Sequence, residues 1–309
     1  MKRAGLLVII ILEFGVPLFG AGEAWILDQG GSVLSLLGGD GAAGVTVPLP
    51  GEAFAIATAA DGSAWVALGP EEQILRVDPQ GGIAVIAGSG AAVLSLAVAA
   101  DGSLWAVRPS ADEVAHYSAA GVLLGVHPVG SVPYGIAIDP EGRVWVSNSY
   151  GNSVSRLAAD GSAAGEFPVG FFPTGIAAHP DGSIWVVEKE GLSRLDGDGN
   201  LLASLQAGVF PAAVAIDLGG GVWVTNQSSH DVSRFTAAGI PLGEIAVGAR
   251  PFGIAAAGDG SVLVLCRLGG EVLRLDGEGA VIAATPFDYP HAFGDLTGLA
   301  RALTVDPGG

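Results

Sequence analysis

Short apolar runs separated by polar turns rich in glycine and aspartate fill the chain. In the clearest unit, two apolar segments, 134–138 and 144–146, flank the turn 139–142, and a polar loop leads to a third segment, 154–157. Apolar residues follow a period of two or short continuous runs, which is typical of β-strands, and glycine supplies the positive φ that a tight hairpin needs. The pattern predicts units of short antiparallel strands without long helices.

Tryptophan marks the period of these units. The successive gaps between the six tryptophans are 40, 40, 40, 40 and 38 residues, and a further step of 40 leads to Leu263 in a similar apolar run. The six are Trp25, Trp65, Trp105, Trp145, Trp185 and Trp223. A fixed period indicates a repeat architecture, and about forty residues with four strands is typical of one propeller blade.

The two ends of the repeat complement each other. Residues 301–309 match 134–142 and stop where a second strand should follow, whereas 23–27 reads as a second strand that lacks a first. We expect 301–305 to pair with 23–27, which closes the ring and removes open sheet edges. The predicted fold is all-β, a seven-bladed propeller of four-stranded antiparallel blades over residues 23–309.

The N-terminus resembles an export signal. Lys2 and Arg3 precede an apolar run, 6–12, and small residues follow at 20–24, so we predict a signal peptide over 1–22 with cleavage near Gly22. An uncleaved tail is the alternative. The run is too short to span a bilayer as a stable anchor. We therefore expect a secreted or periplasmic protein without an integral membrane segment in the mature chain.

Charge narrows the class of partner. Lysine and arginine total 13 against 31 acidic residues, for a formal net charge of −18. Nucleic acid and anionic membranes both need a basic face, so neither is expected as a partner. The one cysteine, Cys266, excludes an intrachain disulfide and is expected to be a small buried residue rather than a reactive thiol.

Residues locked to the period are expected to serve the fold. The tryptophans lie in apolar triplets, which indicates packing between neighbouring blades. Arginine recurs before the last apolar residue of the third strand, and we expect it to pair with acidic turn residues of the same or an adjacent blade. These arginines are Arg76, Arg156, Arg194, Arg234 and Arg274.

Metal and catalytic motifs are weak. The Asp-Gly turns offer one carboxylate each, whereas calcium loops need several converging oxygen ligands. The densest acidic cluster, 196–200, lacks the glutamate spacing of an EF-hand, and the five histidines show no zinc-like spacing. No nucleophile elbow or phosphate loop is present. We predict no catalytic residue and no metal ligand from these motifs.

Two positions vary between blades and flank strand ends, so we expect both to face one mouth of the central channel. One begins the inner strand, and the other lies three residues after the tryptophan position, where polar residues of mixed charge suit a pocket rim. Simple solvation of strand ends is the alternative interpretation. The predicted ligand-binding residues are Asp28, Arg108, Tyr134, Asn148, Thr174, Glu188, Asn226, Phe252 and Arg301.

The units Pro-Tyr-Gly-Ile-Ala-Ile-Asp-Pro-x-Gly-x-Val-Trp-Val-x-Asn and Asn-Ser-Val-Ser-Arg-Leu resemble the NHL-repeat and virginiamycin B lyase-like propellers. The resemblance implies a seven-bladed, magnesium-dependent lyase with histidines after the proline of inner strands and a glutamate three residues after a blade tryptophan. Only Glu188 matches the acidic position, and without the histidines there is no general base of that kind. The histidine positions hold Tyr134, Thr174, Ala212 and Phe252.

These observations favour an exported, monomeric, non-enzymatic propeller that binds a protein, peptide or glycan at one face of its channel without a cofactor. The alternative is a magnesium- or calcium-dependent lyase or hydrolase of the virginiamycin B lyase or gluconolactonase-like type, using Glu188, Asn148 and Asn226. A third interpretation is a structural module of an envelope assembly.

Overall fold

The computed structural model describes residues 7–9, 24–28, 33–38, 40, 42–69 and 72–286. These residues form seven antiparallel four-stranded sheets, so the predicted seven-bladed all-β propeller is confirmed. The one helical element of the described residues is a short 3-10 turn, Pro109–Ala111, and none of their helical structure is long enough to cross a membrane.

Each blade contributes one strand to each of four concentric positions. The innermost strands are β1 (Leu7–Ile9), β5 (Ala53–Thr58), β9 (Ser95–Val98), β13 (Pro133–Ile138), β17 (Ile176–Ala178), β21 (Pro211–Ile216) and β25 (Pro251–Ala256). The second strands are β2 (Ala24–Asp28), β6 (Ala64–Leu68), β10 (Leu104–Arg108), β14 (Val144–Asn148), β18 (Ile184–Glu188), β22 (Val222–Asn226) and β26 (Val262–Cys266).

The third strands are β3 (Val33–Leu37), β7 (Gln73–Val77), β11 (Glu113–Tyr117), β15 (Ser153–Leu157), β19 (Gly191–Leu195), β23 (Asp231–Phe235) and β27 (Glu271–Leu275). The outermost strands are β4 (Ala43–Pro48), β8 (Ile83–Gly88), β12 (Leu123–Pro128), β16 (Ala163–Pro168), β20 (Leu201–Leu205), β24 (Pro241–Ala246) and β28 (Val281–Pro286). The second strands are almost wholly buried, whereas the outermost strands are mostly exposed. The apolar core therefore lies around the second strands.

The tryptophans join consecutive blades, as predicted. All six rings are buried to 1% exposure or less. Trp145 packs against Ile176 and Ile184 of the next blade, and the other five occupy the same position between their blades. In blade 7, Leu263 takes this place and packs against Ala24 of blade 1.

Blades 7 and 1 also meet through polar contacts and the inner strand. Arg274 donates to the carbonyl oxygen of Gly38 in blade 1. Strand β1 pairs with β2 so that Ile9 lies opposite Ile26, which places part of the predicted leader beside β2. The apolar Leu-Val-Ile sequence suits an inner strand. The segment predicted for this edge, 301–305, lies outside the described residues.

The repeated arginines follow two patterns. Arg76, Arg194 and Arg274 pair with the turn aspartate of their own blade, as predicted. In blade 4, Asp139 accepts instead from the indole N–H of Trp145 at 2.8 Å and from Arg143. Because that aspartate is occupied, Arg156 donates to the carbonyl of Gly197 in the next blade. Blade 6 has the same pattern as blade 4. The indole N–H of Trp223 donates to Asp217, and Arg234 donates to the carbonyls of Gly277 and Glu278 in the next blade.

Blade 3 replaces the arginine with His116. Its imidazole stacks on Trp105 with ring centres 3.9 Å apart, and its Nε2 atom is buried without a hydrogen-bond partner. Burial, followed by the nearby His127, lowers the pKa of His116 below its usual 6.5. A nearby acidic side chain, Asp101, favours the charged form without outweighing burial.

We expect Trp145→Ala to lower the free energy of unfolding by about 3–5 kcal/mol, because the change leaves a cavity between two blades. Trp145→Leu should lower the free energy of unfolding by less, because Leu263 fills the equivalent position between blades 7 and 1. Denaturant unfolding of both variants measures the difference. Equal losses from alanine and leucine would contradict the interblade role of the ring.

His116 should make the protein less stable in mild acid. Below about pH 6.5 the unfolded chain takes up a proton that the folded His116 resists, so stability falls as the pH falls. His116→Gln should remove this component, and His116→Arg should remove it while adding the arginine–tryptophan contact of the sister blades. Denaturation midpoints at neutral and mildly acidic pH test this; an unchanged pH dependence in both variants would contradict it.

Candidate functional site

The antiparallel order gives the ring two different faces. One face, the turn face, carries the turns between first and second strands and between third and fourth strands. The other, the loop face, carries the loops from second to third strands and the longer loops that enter each inner strand. Both sets of predicted site residues lie at strand ends toward the loop face.

The first predicted set surrounds the channel mouth on the loop face. Tyr134, Thr174 and Phe252 are half-buried at the start of their inner strands. The equivalent residues Phe54, Leu94 and Ala212 are also half-buried and uncharged. The described part of this mouth is therefore apolar and partly aromatic, with its smallest side chains in blades 5 and 6.

Two buried hydroxyl groups, which sequence reasoning missed, hold this mouth in place. Ser147 donates to the carbonyl of Thr174 in the next blade at 2.6 Å and accepts from the N–H of Gly135 at 2.9 Å. Thr225 bonds likewise to the carbonyl of Phe252 at 3.2 Å. Their signal in the sequence is a hydroxyl residue within an otherwise apolar second strand.

The two asparagines of the second set point into their own blades. The amide nitrogen of Asn148 donates to Ser153 and Ser155 at 3.0 and 2.9 Å, and the side chain is fully buried. Asn226 makes the matching bonds to Asp231 and Ser233. The amide oxygens of both asparagines are buried without a partner. These groups lie beneath the loop face, away from the open mouth.

Glycines at the base of the entering loops explain this placement. A side chain at Gly130 would collide with the amide of Asn148, and one at Gly208 would collide with that of Asn226. In blade 5 a carboxylate oxygen of Glu188 accepts from the N–H of Gly170 at 2.7 Å. The position three residues after the tryptophan therefore supports the loop base in these blades.

The remaining predicted residues are placed as follows. Arg108 is half-buried and pairs with Glu113 at 3.2 Å within blade 3. Asp28 ends β2 opposite Val33, and its side chain lies outside the described residues, as does the whole of Arg301. Cys266 is 1% exposed, which confirms the buried position, and burial raises the pKa of its thiol to about 12.

The residues of the metal-dependent alternative do not fit a magnesium site. Magnesium prefers several oxygen ligands at one point. Asn148, Glu188 and Asn226 belong to three different blades, and their polar groups bond mainly within their own blade or loop. The described residues contain no group of three histidine, cysteine, aspartate or glutamate side chains that could hold a metal. No chemical step through a metal follows from this arrangement.

Exposed apolar side chains form a second feature of the loop face that sequence reasoning missed. We name as the loop-face patch Tyr150, Phe171, Phe172, Val209 and Phe210, which are 40–68% exposed. Tyr150 and Phe172 meet edge to face with ring centres 5.7 Å apart, and the ammonium of Lys189 lies 6.0 Å from the ring of Phe172. The five side chains lie on loops of one face, and large apolar side chains exposed together on one face mark interaction sites.

The loops that carry the patch are held in a strained backbone conformation. Phe172 and Phe210 have positive φ angles of 49° and 62°, a region that L residues rarely adopt. The N–H of Phe172 donates to the side chain of Asn152 at 3.0 Å, and Val132 in the preceding loop is bonded likewise to Asp112. The exposed rings are therefore presented by fixed loops, which lowers the entropy lost on binding.

The channel continues to the turn face as an apolar cavity of about 380 Å³. Its wall includes Val98, Ile138, Ala178, Ile216 and Ala256, one from each inner strand of blades 3 to 7. The carboxylate of Asp139, which borders the cavity, is taken by Trp145 and Arg143. The described wall thus offers no free charged group to a ligand inside the channel.

We expect Asn148→Ala to lower the free energy of unfolding by about 1–3 kcal/mol, because it removes bonds to two buried hydroxyl groups. The loss should be the same with and without excess magnesium chloride, since the amide serves its own blade. Thermal unfolding under both conditions, with Asn226→Ala as the parallel variant, measures this. Magnesium that stabilises the unmodified protein but neither variant would contradict it.

Part of the sequence matches a known protein family. The model of the virginiamycin B lyase family matches residues 44–191, from the outer strand of blade 1 into blade 5. A search of the curated proteins finds no match to the sequence. The matched residues include Tyr134, Asn148, Thr174 and Glu188.

Solved structures of low identity share the fold. Virginiamycin B lyase from Staphylococcus aureus superposes with a TM-score of 0.69 at 19% identity, over 77% of this chain and 85% of that chain. A functionally unknown protein from Desulfotomaculum acetoxidans gives 0.74 at 17%, over 86% and 95%. The WD40 propeller domain of Doa1 gives 0.72 at 12%, over 89% and 93%. The chain is therefore a seven-bladed β-propeller, as the repeat indicated, and residues 44–191 resemble the virginiamycin B lyase family.

Proposed function

We propose that this chain is an exported, non-enzymatic propeller that binds an apolar segment of a protein or peptide at its loop face. The observation that carries this proposal is the loop-face patch, because five apolar side chains remain exposed on loops whose backbone is fixed. Aromatic residues on rigid supports dominate the energetics of protein interfaces. The described part of the channel mouth, from Phe54 to Phe252, adds further uncharged side chains on the same face.

The chemistry of the mouth supports binding rather than catalysis. The positions at which the lyase resemblance places histidines hold residues without a general base at neutral pH, among them Thr174, Ala212 and Phe252. A glycan is the less favoured ligand, because the patch pairs its rings with one cation, Lys189, and few other polar groups.

Two solved structures of this fold are complexes with a ligand or partner. One propeller of this fold is solved in a nidogen–laminin complex, at a TM-score of 0.53 and 15% identity. A catalytically inactive virginiamycin B lyase is solved with quinupristin. We extend to this chain only the use of a propeller face for binding. Export rests on the Lys2–Arg3 start and the apolar run that follows, which includes β1. Cleavage near Gly22 would remove β1 and leave the inner position of blade 1 to residues 301–305, as the repeat predicts. N-terminal sequencing of protein recovered outside the cytoplasm tests this.

Phage-displayed peptides selected on the immobilised protein test the proposed ligand class. We expect selection of peptides rich in apolar residues. The double variant Phe171→Ser, Phe210→Asn should bind them at least about tenfold more weakly than the unmodified protein. Asparagine is chosen at 210 because it tolerates positive φ. Fluorescence anisotropy of a labelled selected peptide measures the affinity.

Leu242→Ser is the matched control, because Leu242 is 54% exposed on the outer strand of blade 6 while Phe210 is 55% exposed on the loop face. Its affinity should equal that of the unmodified protein. Failure to enrich any peptide, or equal loss in the control, would refute the proposed site. Turnover of lactones or cyclic esters that depends on Glu188 and on added magnesium would instead support the metal-dependent alternative.

A further inference from the structure

The outermost strand of each blade presents one unpaired edge to solvent, and proteins usually protect such edges with proline or charge. In blade 4, β16 carries Glu166 and ends at Pro168, and in blade 6, β24 begins at Pro241 and carries Glu244. Strands β12 and β28 both end in proline. Most outer edges are therefore blocked against pairing with another chain.

Strand β8 of blade 2 has neither feature, and among the outer strands of blades 3 to 7 the exception is β20 of blade 5. Its sequence, Leu-Leu-Ala-Ser-Leu, has neither proline nor charge. Leu201 and Leu202 are 54% and 50% exposed. Ser204 is exposed opposite Ser193, in the register where Glu166 lies opposite Ser155 and Glu244 opposite Ser233. The charged residue that two sister blades carry at this register is thus a serine here.

The end of this edge at which β20 begins is acidic. The turn that leads into β20 carries Asp196 and Asp198, and Asp198 is 85% exposed, with Arg156 3.8 Å away. Asp196 uses its carboxylate to hold its own turn through Asn200 and two backbone N–H groups. The whole chain has 13 basic residues against 31 acidic ones. A partner held at this edge by charge must therefore be basic.

We propose that β20 is a docking edge that adds one β-strand from a basic partner protein. The partner's backbone pairs with the free edge, its apolar side chains cover Leu201 and Leu202, and lysine or arginine at its end meets Asp198. Strand addition of this kind takes affinity from backbone bonds and specificity from side chains. The site lies on the outer wall of blade 5 and does not depend on the proposed loop-face function.

A fluorescein-labelled peptide, KKTVTVTVKK, is the probe, with the charge-reversed EETVTVTVEE and the proline-interrupted KKTVPVTVKK as comparisons. Fluorescence anisotropy on the full chain should show binding of the first peptide only, weakening as salt is raised. Amide hydrogen exchange should slow in β20 when the peptide binds. Equal binding of the charge-reversed or proline peptide would overturn the proposal.

Ser204→Glu restores the residue of the sister blades, so blade 5 should fold as they do, and we expect the peptide to bind at least about tenfold more weakly. Ser204→Thr is the matched control and should bind normally. Unchanged affinity in Ser204→Glu, or exchange protection on another outer strand, would overturn the assignment to β20. The loop-face variant Phe171→Ser should leave this peptide's affinity unchanged; a loss there would place the peptide on the loop face and refute docking at β20.

Discussion

The ring depends on one repeated contact, the burial of a tryptophan from each of six blades in the apolar core of the next. A tryptophan fills the wedge between two splayed sheets, and its large apolar area makes it the main source of cohesion between blades. The guanidinium of the opposite third strand covers four of these rings, with Arg234 only 4.3 Å from the ring centre of Trp223. Where the ring closes, Leu263 serves the same contact with less area.

This arrangement leaves the loop face free to vary. Because the core lies around the second strands, the loops that enter the inner strands contribute little to it. They are instead fixed by glycines at their base and by bonds such as that from the N–H of Phe172 to the side-chain oxygen of Asn152. The fixed loops can therefore expose aromatic rings without losing their conformation. That combination of exposure and order is what a binding surface requires.

Departures from the repeat carry the functional information. His116 replaces an arginine and introduces a titrating group into an interblade contact. Ser204 replaces a glutamate and leaves an outer edge unprotected. Phe171 occupies the loop position that Ser131 has before blade 4, and Phe210 occupies the position that Arg250 has before blade 7. Each departure changes one local property while the blade around it is preserved.

The sequence by itself determined the blade count, the strand order within a blade and the role of the tryptophans, because period-two patterning and a forty-residue interval are local properties of the chain. It also predicted the arginine–aspartate pairs, since both partners recur in step. Tertiary structure decided which variable residues are accessible. Asn148 and Asn226 read as a pocket rim but are covered when their loops fold back over them, whereas Phe171 and Phe210 read as ordinary apolar residues but remain exposed. Exposure depends on contacts between segments distant in the chain, and no local pattern of residues records those contacts.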